Sequence, residues 1–318
     1  MQSLNGARIL VTGASGRIGS QLVEALLLEG AEIHVLTSKE NRTATKRVIN
    51  HYYVDWHSAF EVPLLEVDFV VHLSFQNSSY IARENIAKDV ESNIVNTVKI
   101  LESFKKAKNK PIVILIGSTS EYGIGDEFDE YSKTDPLTFY ETAKSASQLY
   151  AKQFVREKII SRVIVLRLGN VYGTDNSNSN SDRGFLDRCI KDSVHGIDLT
   201  YFGTGEYLRD YIHVSDVKTA IITAMKEKSS LTHDVYNIGT GRYVTIKAAL
   251  EIILKTTREE VGSSCSLTQR KFPDYSNEIE QRNSKVQCDL FVESTSWKAK
   301  LSLEDGIRDT IRAYLKER

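Results

Sequence analysis

The chain has 318 residues, and its 41 Lys and Arg residues almost balance its 42 Asp and Glu residues, giving a formal net charge of −1. This balance excludes the basic footprint of a nucleic-acid-binding protein, and no nucleic-acid partner is expected. Three distant cysteines (Cys189, Cys265 and Cys288) predict reduced thiols, and seven scattered histidines complete no metal site. We expect a cytoplasmic protein outside the membrane. No apolar run approaches the roughly 20 residues that cross a bilayer, and the first strand leaves no room for a signal peptide.

The first predicted strand, residues 8–11, runs directly into a glycine-rich turn and then into a helical pattern. The first glycine of the turn permits a tight bend, the second lets the backbone approach a pyrophosphate, and the third lets the helix pack on the strand. The amides and the dipole of the helix N-terminus then face the phosphates. This context predicts a dinucleotide site, with cofactor contacts from Gly13, Ser15, Gly16, Arg17, Ile18 and Gly19.

Strand and helix patterns alternate through the first half of the chain. Continuous apolar runs are typical of central parallel strands that are covered on both faces. The alternation predicts an α/β fold with a doubly wound parallel sheet of the Rossmann type. The predicted strands are residues 8–11, 32–37, an apparent strand just before Asp55, 68–73, 112–117 and 162–168, and the long helices are 82–106 and 139–157.

The pattern changes after Gly173, where residues 174–183 form a polar loop rich in Asn and Ser. Later segments are shorter and more mixed, which predicts a smaller mixed C-terminal lobe that binds substrate. We therefore predict a dinucleotide-binding domain over residues 1–173, to which 205–238 returns, and a substrate-binding lobe over 174–204 and 239–318. The crevice at the carboxyl ends of the strands then lies between the two.

Tyr140 and Lys144 are four residues apart on a predicted helix, so their side chains project from one face. A cation beside a phenol favours the phenolate, and we expect the pKa of Tyr140 to fall below its reference value of about 10. Such a tyrosine can act as acid or base near neutral pH. The strand over 112–117 brings Ser118, Thr119 and Ser120 to the same edge, where a hydroxyl can hold the substrate oxygen. The predicted catalytic residues are Ser118, Tyr140 and Lys144.

The chain resembles a known family, the extended short-chain dehydrogenases/reductases. Its members act on nucleotide-linked sugars as NAD(P)-dependent epimerases, dehydratases and reductases. The resemblance covers nearly the whole chain and rests on several motifs in the family's order. They are the cofactor loop at 12–19, the fourth-strand motif at 72–74, the catalytic-serine segment at 118–123, the pair at 140 and 144, and substrate-lobe signatures at 170–173, 209–217 and 236–241.

The resemblance implies a role for each residue around the reaction. Tyr140 is the acid/base, and Lys144 lowers the pKa of Tyr140 while bonding the nicotinamide ribose. Ser118 orients the sugar hydroxyl or ketone, and Thr119 and Ser120 lie close to the sugar. The substrate is accordingly a nucleotide sugar.

The same resemblance assigns residues to the cofactor and the nucleotide. Arg209 clamps the substrate diphosphate, a role that suits the planar fork of a guanidinium. Asn170 bonds the substrate backbone or phosphate, Arg282 helps to hold the nucleotide, and Leu73 contacts the cofactor. The alternative interpretation of Arg209 is a surface ion pair. Asn93 either fixes water or backbone near the site or is simply an interior polar residue of its helix.

The end of the second predicted strand departs from the family pattern. NAD-preferring members usually end this strand with an acidic residue that bonds the adenosine ribose. Here Ser38 and Lys39 follow the strand, and no carboxylate occurs before Glu40. Together with Arg17 they can accept a 2′-phosphate, so the sequence favours NADP, with NAD as the alternative. We also expect Asp55, after the apparent third strand, to touch the adenine.

A second departure concerns the reaction. The 4,6-dehydratases of this family carry an Asp-Glu pair beside the catalytic hydroxyl, whereas this chain has Thr119 and Ser120 there. This argues against dehydration, unless the loop is one residue shorter and Glu121 enters the site. Keto-sugar reduction and epimerisation remain.

The sequence therefore favours an NADP(H)-dependent reductase of a nucleotide-activated 4-keto, 6-deoxy sugar. The first alternative is an NAD-dependent nucleotide-sugar epimerase that acts through a transient ketone. A non-catalytic, cofactor-sensing protein of the same fold is a third interpretation, and the intact catalytic residues argue against it. The family resemblance also implies a homodimer, built by packing the helices at 82–106 and 139–157 against their twofold mates.

Overall fold

The computed structural model describes residues 2–37, 50–53, 65–173, 184–273 and 278–316. Its strands are β1 (Arg8–Thr12), β2 (Glu32–Thr37), β3 (Asn50–Tyr53), β4 (Phe69–His72), β5 (Ile112–Ser118), β6 (Arg162–Leu168), β7 (Asn170–Tyr172), β8 (Leu199–Phe202), β9 (Leu208–His213), β10 (Val235–Ile238), β11 (Tyr243–Thr245) and β12 (Leu267–Arg270). Its α-helices are α1 (Arg17–Leu28), α2 (Ser79–Glu84), α3 (Ile86–Val90), α4 (Asn96–Glu102), α5 (Phe139–Arg156), α6 (Phe185–Val194), α7 (Val214–Lys226), α8 (Ile246–Val261), α9 (Asp289–Ser294) and α10 (Leu303–Lys316).

Seven strands form one parallel sheet in the order β10-β6-β5-β4-β1-β2-β3. The strand order reverses between β1 and β4, where the chain first runs outward to β3 and then returns to the other side of β1. In open α/β sheets, ligands bind outside the carboxyl ends of the strands at this switch point. The predicted doubly wound Rossmann-type fold is confirmed.

Apolar side chains cover both faces of the large sheet, which explains why its central strands are continuously apolar. Ile9 and Val11 of β1 point into a core shared with α1 and α7, while Leu10 points into a second core beneath α4 and α5. Successive strand residues alternate between faces, so each central strand must be apolar at every position when helices cover both sides.

The C-terminal part of the chain builds a smaller, mixed lobe. β7, β9 and β11 form a three-stranded sheet, in which β7 and β9 are parallel and β9 and β11 are antiparallel. β8 and β12 pair in parallel, and helices α6, α8 and α10 share a third apolar core. β10 joins the large sheet beside β6. β7 follows β6 in the chain but pairs with β9 in the three-stranded sheet.

The long helix predicted over residues 82–106 is segmented. It begins earlier, at α2, and Asn85 interrupts it with a φ of −143°. The Asn85 side chain then accepts a hydrogen bond from the Lys88 amide and starts α3. A π-helical turn, Glu91–Val95, joins α3 to α4, and a 3₁₀ turn, Ser103–Lys106, ends the segment. Apolar spacing cannot reveal the break at Asn85, because a local side-chain bond accompanies it.

Cys189, Cys265 and Cys288 are buried free thiols. No helix within the described ranges has the length and apolar content needed to span a bilayer. Across the same residues, His, Cys, Asp and Glu side chains do not gather in groups of three or more that could hold a metal ion.

Candidate active site

The glycine-rich turn follows β1 at the switch point of the large sheet. Gly13 has a φ of +67°, and a Cβ there would lie 2.8 Å from the carbonyl carbon of Leu73. A Cβ on Gly19 would collide with the carbonyl oxygen of Gly13. The turn therefore needs glycine at both positions, since each backbone passes too close to its neighbour for a side chain.

The N-terminus of α1 leaves its amides open to a ligand. Gly16 is the N-cap residue, so no side chain of its own caps the helix, and the first turn carries no acidic residue. Ser15, Arg17 and Ile18 are partly buried around this helix start. Uncapped amides and the positive end of the helix dipole bind anions, and the missing Cβ atoms leave the backbone open to close approach. These residues fit the diphosphate of a dinucleotide.

Arg17 extends from the turn to the other lobe. Its Nη1 lies 2.6 Å from Oδ2 of Asp187 in α6 and donates to the carbonyl of Val171 at 3.0 Å. Asp187 is buried, and its Oδ1 accepts a hydrogen bond from the Gly173 amide. The guanidinium that the sequence assigns to a 2′-phosphate is thus held by a carboxylate. The other residues predicted to contact the adenosine end lie outside the described residues: Ser38, Lys39 and Asp55.

Leu73 follows β4 beside the glycine turn, where its amide donates to Oγ1 of Thr12 at 3.2 Å. The same hydroxyl lies 2.7 Å from Nδ1 of His72, and Nε2 of His72 lies 2.9 Å from Oγ1 of Thr97. Burial lowers the pKa of His72 to about 3. This neutral, buried histidine makes two hydrogen bonds, which connect the ends of β1 and β4 to α4.

β5 brings Ser118 to the carboxyl edge of the sheet, where it caps a 3₁₀ turn, Thr119–Tyr122. Its Oγ accepts a hydrogen bond from the Ser120 amide at 3.2 Å and lies 2.8 Å from Oγ of Ser120. Thr119 is buried, while the two serines are partly buried. Two adjacent hydroxyls therefore stand at the end of β5.

Tyr140 and Lys144 lie in the first turns of α5. A capping box starts this helix, in which Thr138 Oγ1 accepts from the Glu141 amide and Glu141 Oε2 accepts from the Thr138 amide, each at 3.1 Å. Lys144 Nζ lies 5.9 Å from the centre of the Tyr140 ring, and Ser118 hydrogen-bonds the phenol. The structure brings the three predicted catalytic residues together.

Lys144 is buried, and its Nζ donates to the carbonyl of Ile116 at 2.9 Å. The ammonium also lies 3.4 Å from the centre of the Phe75 ring. Burial lowers the pKa of Lys144 to about 7, against the opposing charges of Glu121 and Asp89. The lysine is therefore poised to change charge near neutral pH.

The pKa of Tyr140 differs from the sequence-based expectation, because it lies above its ordinary value in the protein alone. Burial of the phenol is the main cause, and the negative charge of Glu121 adds to it, while the bond from Ser118 acts in the other direction. Lys144 is itself partly neutral near pH 7, so it compensates less than a fully charged lysine would. The spacing of Tyr140 and Lys144 along the helix predicts that they lie close together, but it does not predict how deeply each side chain is buried.

Glu121 is fully buried in a hydrogen-bonded network. Its Oε1 accepts from the Ser118 amide at 2.7 Å, and its Oε2 accepts from Ser145 at 3.0 Å and from Gln148 at 2.6 Å. Arg167 Nε lies 3.4 Å from Oε2. Burial raises the pKa of Glu121, which the charge of Arg167 opposes. A carboxylate with these partners cannot reach a substrate, so the possibility that Glu121 enters the site is not realised.

Arg282 approaches the catalytic edge from the C-terminal lobe. Its Nη2 lies 2.7 Å from Oε1 of Glu141, and its Nη1 donates to the Ser120 carbonyl at 3.5 Å. Arg209 in β9 donates to the carbonyl of Arg282 at 2.5 Å. Asn170 is exposed in the neighbouring strand β7, paired with Tyr211. Two guanidinium groups and an amide thus line the lobe beside the serines.

Residues 9–239 match the family model described as the NAD dependent epimerase/dehydratase family. The chain belongs to this family. The resemblance drawn from the sequence motifs is confirmed.

Individual members of the epimerase/dehydratase family match almost end to end. A putative UDP-glucose 4-epimerase from Methanocaldococcus jannaschii is 27% identical, covering 95% of this chain and 97% of that protein. A UDP-N-acetyl-alpha-D-glucosaminuronate decarboxylase from Bacillus cytotoxicus is 26% identical, covering 96% and 97%. The solved structure of UDP-glucose 4-epimerase from Thermotoga maritima with UDP-glucose is 26% identical, has a TM-score of 0.82, and covers 98% of this chain and 99% of that chain.

Sequence reasoning missed three residues of this epimerase/dehydratase family site. Phe75 lies under the Lys144 ammonium, Glu141 pairs with Arg282, and Asp89 is a buried carboxylate whose charge acts on Lys144. A capping-box pattern, Thr followed three residues later by Glu, could have located Glu141 at the start of α5. No local sequence pattern marks Phe75 or Asp89, since the fold alone brings these residues close to Lys144.

Proposed function

We propose that this protein is an NAD-dependent nucleotide-sugar epimerase that acts through a transient keto sugar. The observation that carries the proposal is the grouping of Ser118, Tyr140 and Lys144 at one sheet edge, with the adjacent acid Glu121 buried and bonded. A phenol and a hydroxyl can move a sugar hydroxyl proton, whereas elimination needs an accessible carboxylate. The relatives from Methanocaldococcus jannaschii and Thermotoga maritima, both named as 4-epimerases, support the choice.

In this proposal the protein's own groups handle the proton. Ser118 bonds the reacting sugar oxygen. Tyr140, as the phenolate that a charged Lys144 favours, takes the hydroxyl proton as the carbon–hydrogen bond on the same carbon breaks. A bound nicotinamide supplies the hydride acceptor and donor. Tyr140 then returns the proton when hydrogen is restored to the opposite face of that carbon. Substrate and product differ only in configuration, so no net oxidation occurs.

NAD is favoured over NADP by the engagement of Arg17. Its guanidinium contacts Asp187 at 2.6 Å and the Val171 carbonyl, so a carboxylate already offsets the charge that a 2′-phosphate would use. The family model is also described as NAD dependent. The second candidate is the NADP(H)-dependent reductase of a 4-keto sugar, which the sequence Ser38-Lys39 after β2 favours.

The substrate in this proposal is a nucleoside diphosphate sugar. Arg209 and Arg282 are half-buried cations. Arg209 donates to the backbone carbonyl of Arg282, and the Arg282 guanidinium, which pairs with Glu141, donates to the Ser120 carbonyl. We assign them to the diphosphate and nucleotide, and Asn170 on the adjacent strand to the substrate phosphate or backbone. Thr119 and Ser120 are assigned to the sugar. The relative from Thermotoga maritima was solved with UDP-glucose, which makes UDP-hexoses the first substrates to try.

We also propose a homodimer. Apolar side chains are exposed along two neighbouring stretches of the surface, on α3 with its π-helical turn and on α5. They are Ile86, Val90, Val95, Leu149 and Tyr150. Single exposed apolar residues are ordinary, but a group of them on helices that pack against each other is typical of a buried interface.

The deciding experiment measures bound cofactor and turnover together. We expect the purified protein to release NAD on denaturation and to interconvert UDP-glucose and UDP-galactose without added cofactor. Tyr140→Phe should lower turnover by about 100-fold or more with unchanged NAD content. Tyr131→Phe, at an exposed tyrosine outside the proposed interface, is the matched control and should behave like wild type.

Each contrary result has a distinct meaning. Protein that arrives without NAD and consumes NADPH with a 4-keto sugar nucleotide would establish the reductase instead. Full turnover in Tyr140→Phe would remove the tyrosine from the mechanism.

A further inference from the structure

Asp89 is a buried carboxylate, only 2% exposed, in α3, which packs against the helix that carries Tyr140 and Lys144. Its Oδ1 accepts hydrogen bonds from Gln76 Nε2 at 3.0 Å and from Asn93 Nδ2 at 2.9 Å. Its Oδ2 is buried and has no hydrogen-bond partner among the described residues. Burial raises the pKa of Asp89, while the hydrogen bond from Gln76 and the charge of Lys144 act in the other direction. The charged form of this half-satisfied carboxylate therefore depends on a nearby positive charge.

The two hydrogen-bond partners of Asp89, Gln76 and Asn93, are each connected to a neighbour of Lys144. Gln76 directly follows Phe75, whose ring lies 3.4 Å from the lysine ammonium, and the Gln76 amide is held by Asn93 Oδ1 at 2.8 Å. The carbonyl of Asn93 accepts a bond from Ser147 at 2.9 Å, one turn along α5 from Lys144. This junction lies in the π-helical turn, a distortion that is frequent at functional sites.

Asp89 and Glu121 are the two carboxylates whose charges act on Lys144, and they differ in their partners. Glu121 has Arg167 3.4 Å away, which offsets its charge. The hydrogen-bond partners of Asp89 are neutral amides. The remaining titratable neighbours are His72, which burial keeps neutral, and Tyr140. Asp89 is thus the carboxylate near Lys144 without a cation of its own among the described residues.

We infer that Asp89 is a positioning residue for the proposed reaction, whose carboxylate holds Lys144 in its charged form beside Tyr140. The inference rests on the proposed function for its catalytic readout. Among the described residues, Asp89 makes no hydrogen bond to the side chains of Ser118, Tyr140 or Lys144. It acts through the charge of Lys144. Asn93 holds Asp89 and the backbone of residue 76 in place.

The test is the pH dependence of kcat/KM for the NAD-loaded enzyme. In Asp89→Asn, Oδ1 is retained for Gln76 and Asn93 while the charge is removed. Loss of a nearby negative charge disfavours the ammonium, so the alkaline limb should move to lower pH by roughly half a unit or more. Activity on the acidic side should change less. Asp89→Glu retains the charge and should restore the wild-type limb.

Glu84→Gln is the matched control, since Glu84 is an exposed carboxylate at the end of α2. It should leave the profile unchanged. A wild-type profile in Asp89→Asn, or an equal loss of activity at every pH, would overturn the inference. If Asp89→Asn does not fold, Asp89→Ser, which leaves room for water, takes its place in the same measurement.

A second readout does not depend on turnover. Calorimetric titration of the cofactor-free protein with NAD across the same pH range reports the charge of Lys144 through its effect on binding. Asp89→Asn should shift this pH dependence in the same direction as the kinetic limb. A wild-type protein without epimerase activity would refute the proposed function alone, whereas an unshifted NAD-binding profile in Asp89→Asn would refute the role of Asp89.

Discussion

Lys144 carries its ammonium group in a part of the protein where a positive charge is unfavourable. Burial lowers its pKa to about 7, and the compensating contacts are one carbonyl, one aromatic face and two carboxylates at longer range. Because the unfolded chain keeps this proton up to a pKa near 10.5, the unfolded state binds more protons between the two values. Stability must therefore rise with pH over this window, through this residue.

Replacing Lys144 with Met exposes that cost directly. Lys144→Met removes the buried ammonium, so we expect its Tm relative to wild type to be highest near neutral pH. The advantage should shrink as the pH rises from about 7 towards 10.5, because the unfolded wild-type chain binds more protons than the folded one over this window. Calorimetric melting at several pH values measures the difference, while turnover should be lost. A constant offset across this range would contradict a lowered lysine pKa.

At the scale of elements, the glycine turn is connected to α6 by an ion pair. Arg17 is the first residue of α1, and Asp187 lies in the first turn of α6, so their contact joins the predicted cofactor-binding domain to the C-terminal lobe. Asp187 also holds the Gly173 amide at 2.8 Å. This ion pair therefore links the helix proposed to bind the cofactor to the lobe proposed to bind the substrate.

Breaking that connection should affect both stability and cofactor choice. Asp187→Asn leaves the Arg17 guanidinium without its carboxylate, and we expect the free energy of unfolding to fall by about 2 kcal/mol. The released cation should also raise the affinity for NADP relative to NAD. Denaturant melts and fluorescence titrations with both cofactors measure the two effects. Asp192→Asn, on the same helix and only partly buried, is the control. Unchanged stability would show that the ion pair is not formed in solution.

The elements whose signals are local could be predicted from the sequence. β1, the glycine turn and α5 each carry their own pattern, and Ser118, Tyr140 and Lys144 follow from these elements because parallel strands end at a common edge. The break at Asn85 involves a side-chain bond that apolar spacing does not record, and the π-helical turn leaves no mark in that spacing. The engagement of Arg17 by Asp187 joins residues 170 positions apart, so no local pattern contains it.

For the whole molecule, the exposed apolar residues divide into a clustered group and isolated ones. Leu149, 65% exposed, and Tyr150 lie on α5, and Val90 and Val95 lie on the helical segment that packs against α5. Leu28 is 84% exposed at the end of α1, away from that group. Helices α3 and α5 also carry Asp89 and Lys144, so a twofold interface on their outer faces would stiffen the wall of the active site.

Leu149→Asp tests the proposed interface. A charge buried in an apolar contact is strongly unfavourable, so we expect the variant to sediment as a monomer at concentrations where wild type is a dimer. Leu28→Asp introduces the same charge at an even more exposed leucine and should leave the dimer intact. Sedimentation velocity measures both, with circular dichroism to confirm folding. If both variants remain dimeric, the interface lies elsewhere; if wild type is monomeric, the apolar group on α3 and α5 is not a self-association surface. A monomeric Leu149→Asp with lowered kcat would further indicate that the interface supports the helices that carry Asp89 and Lys144.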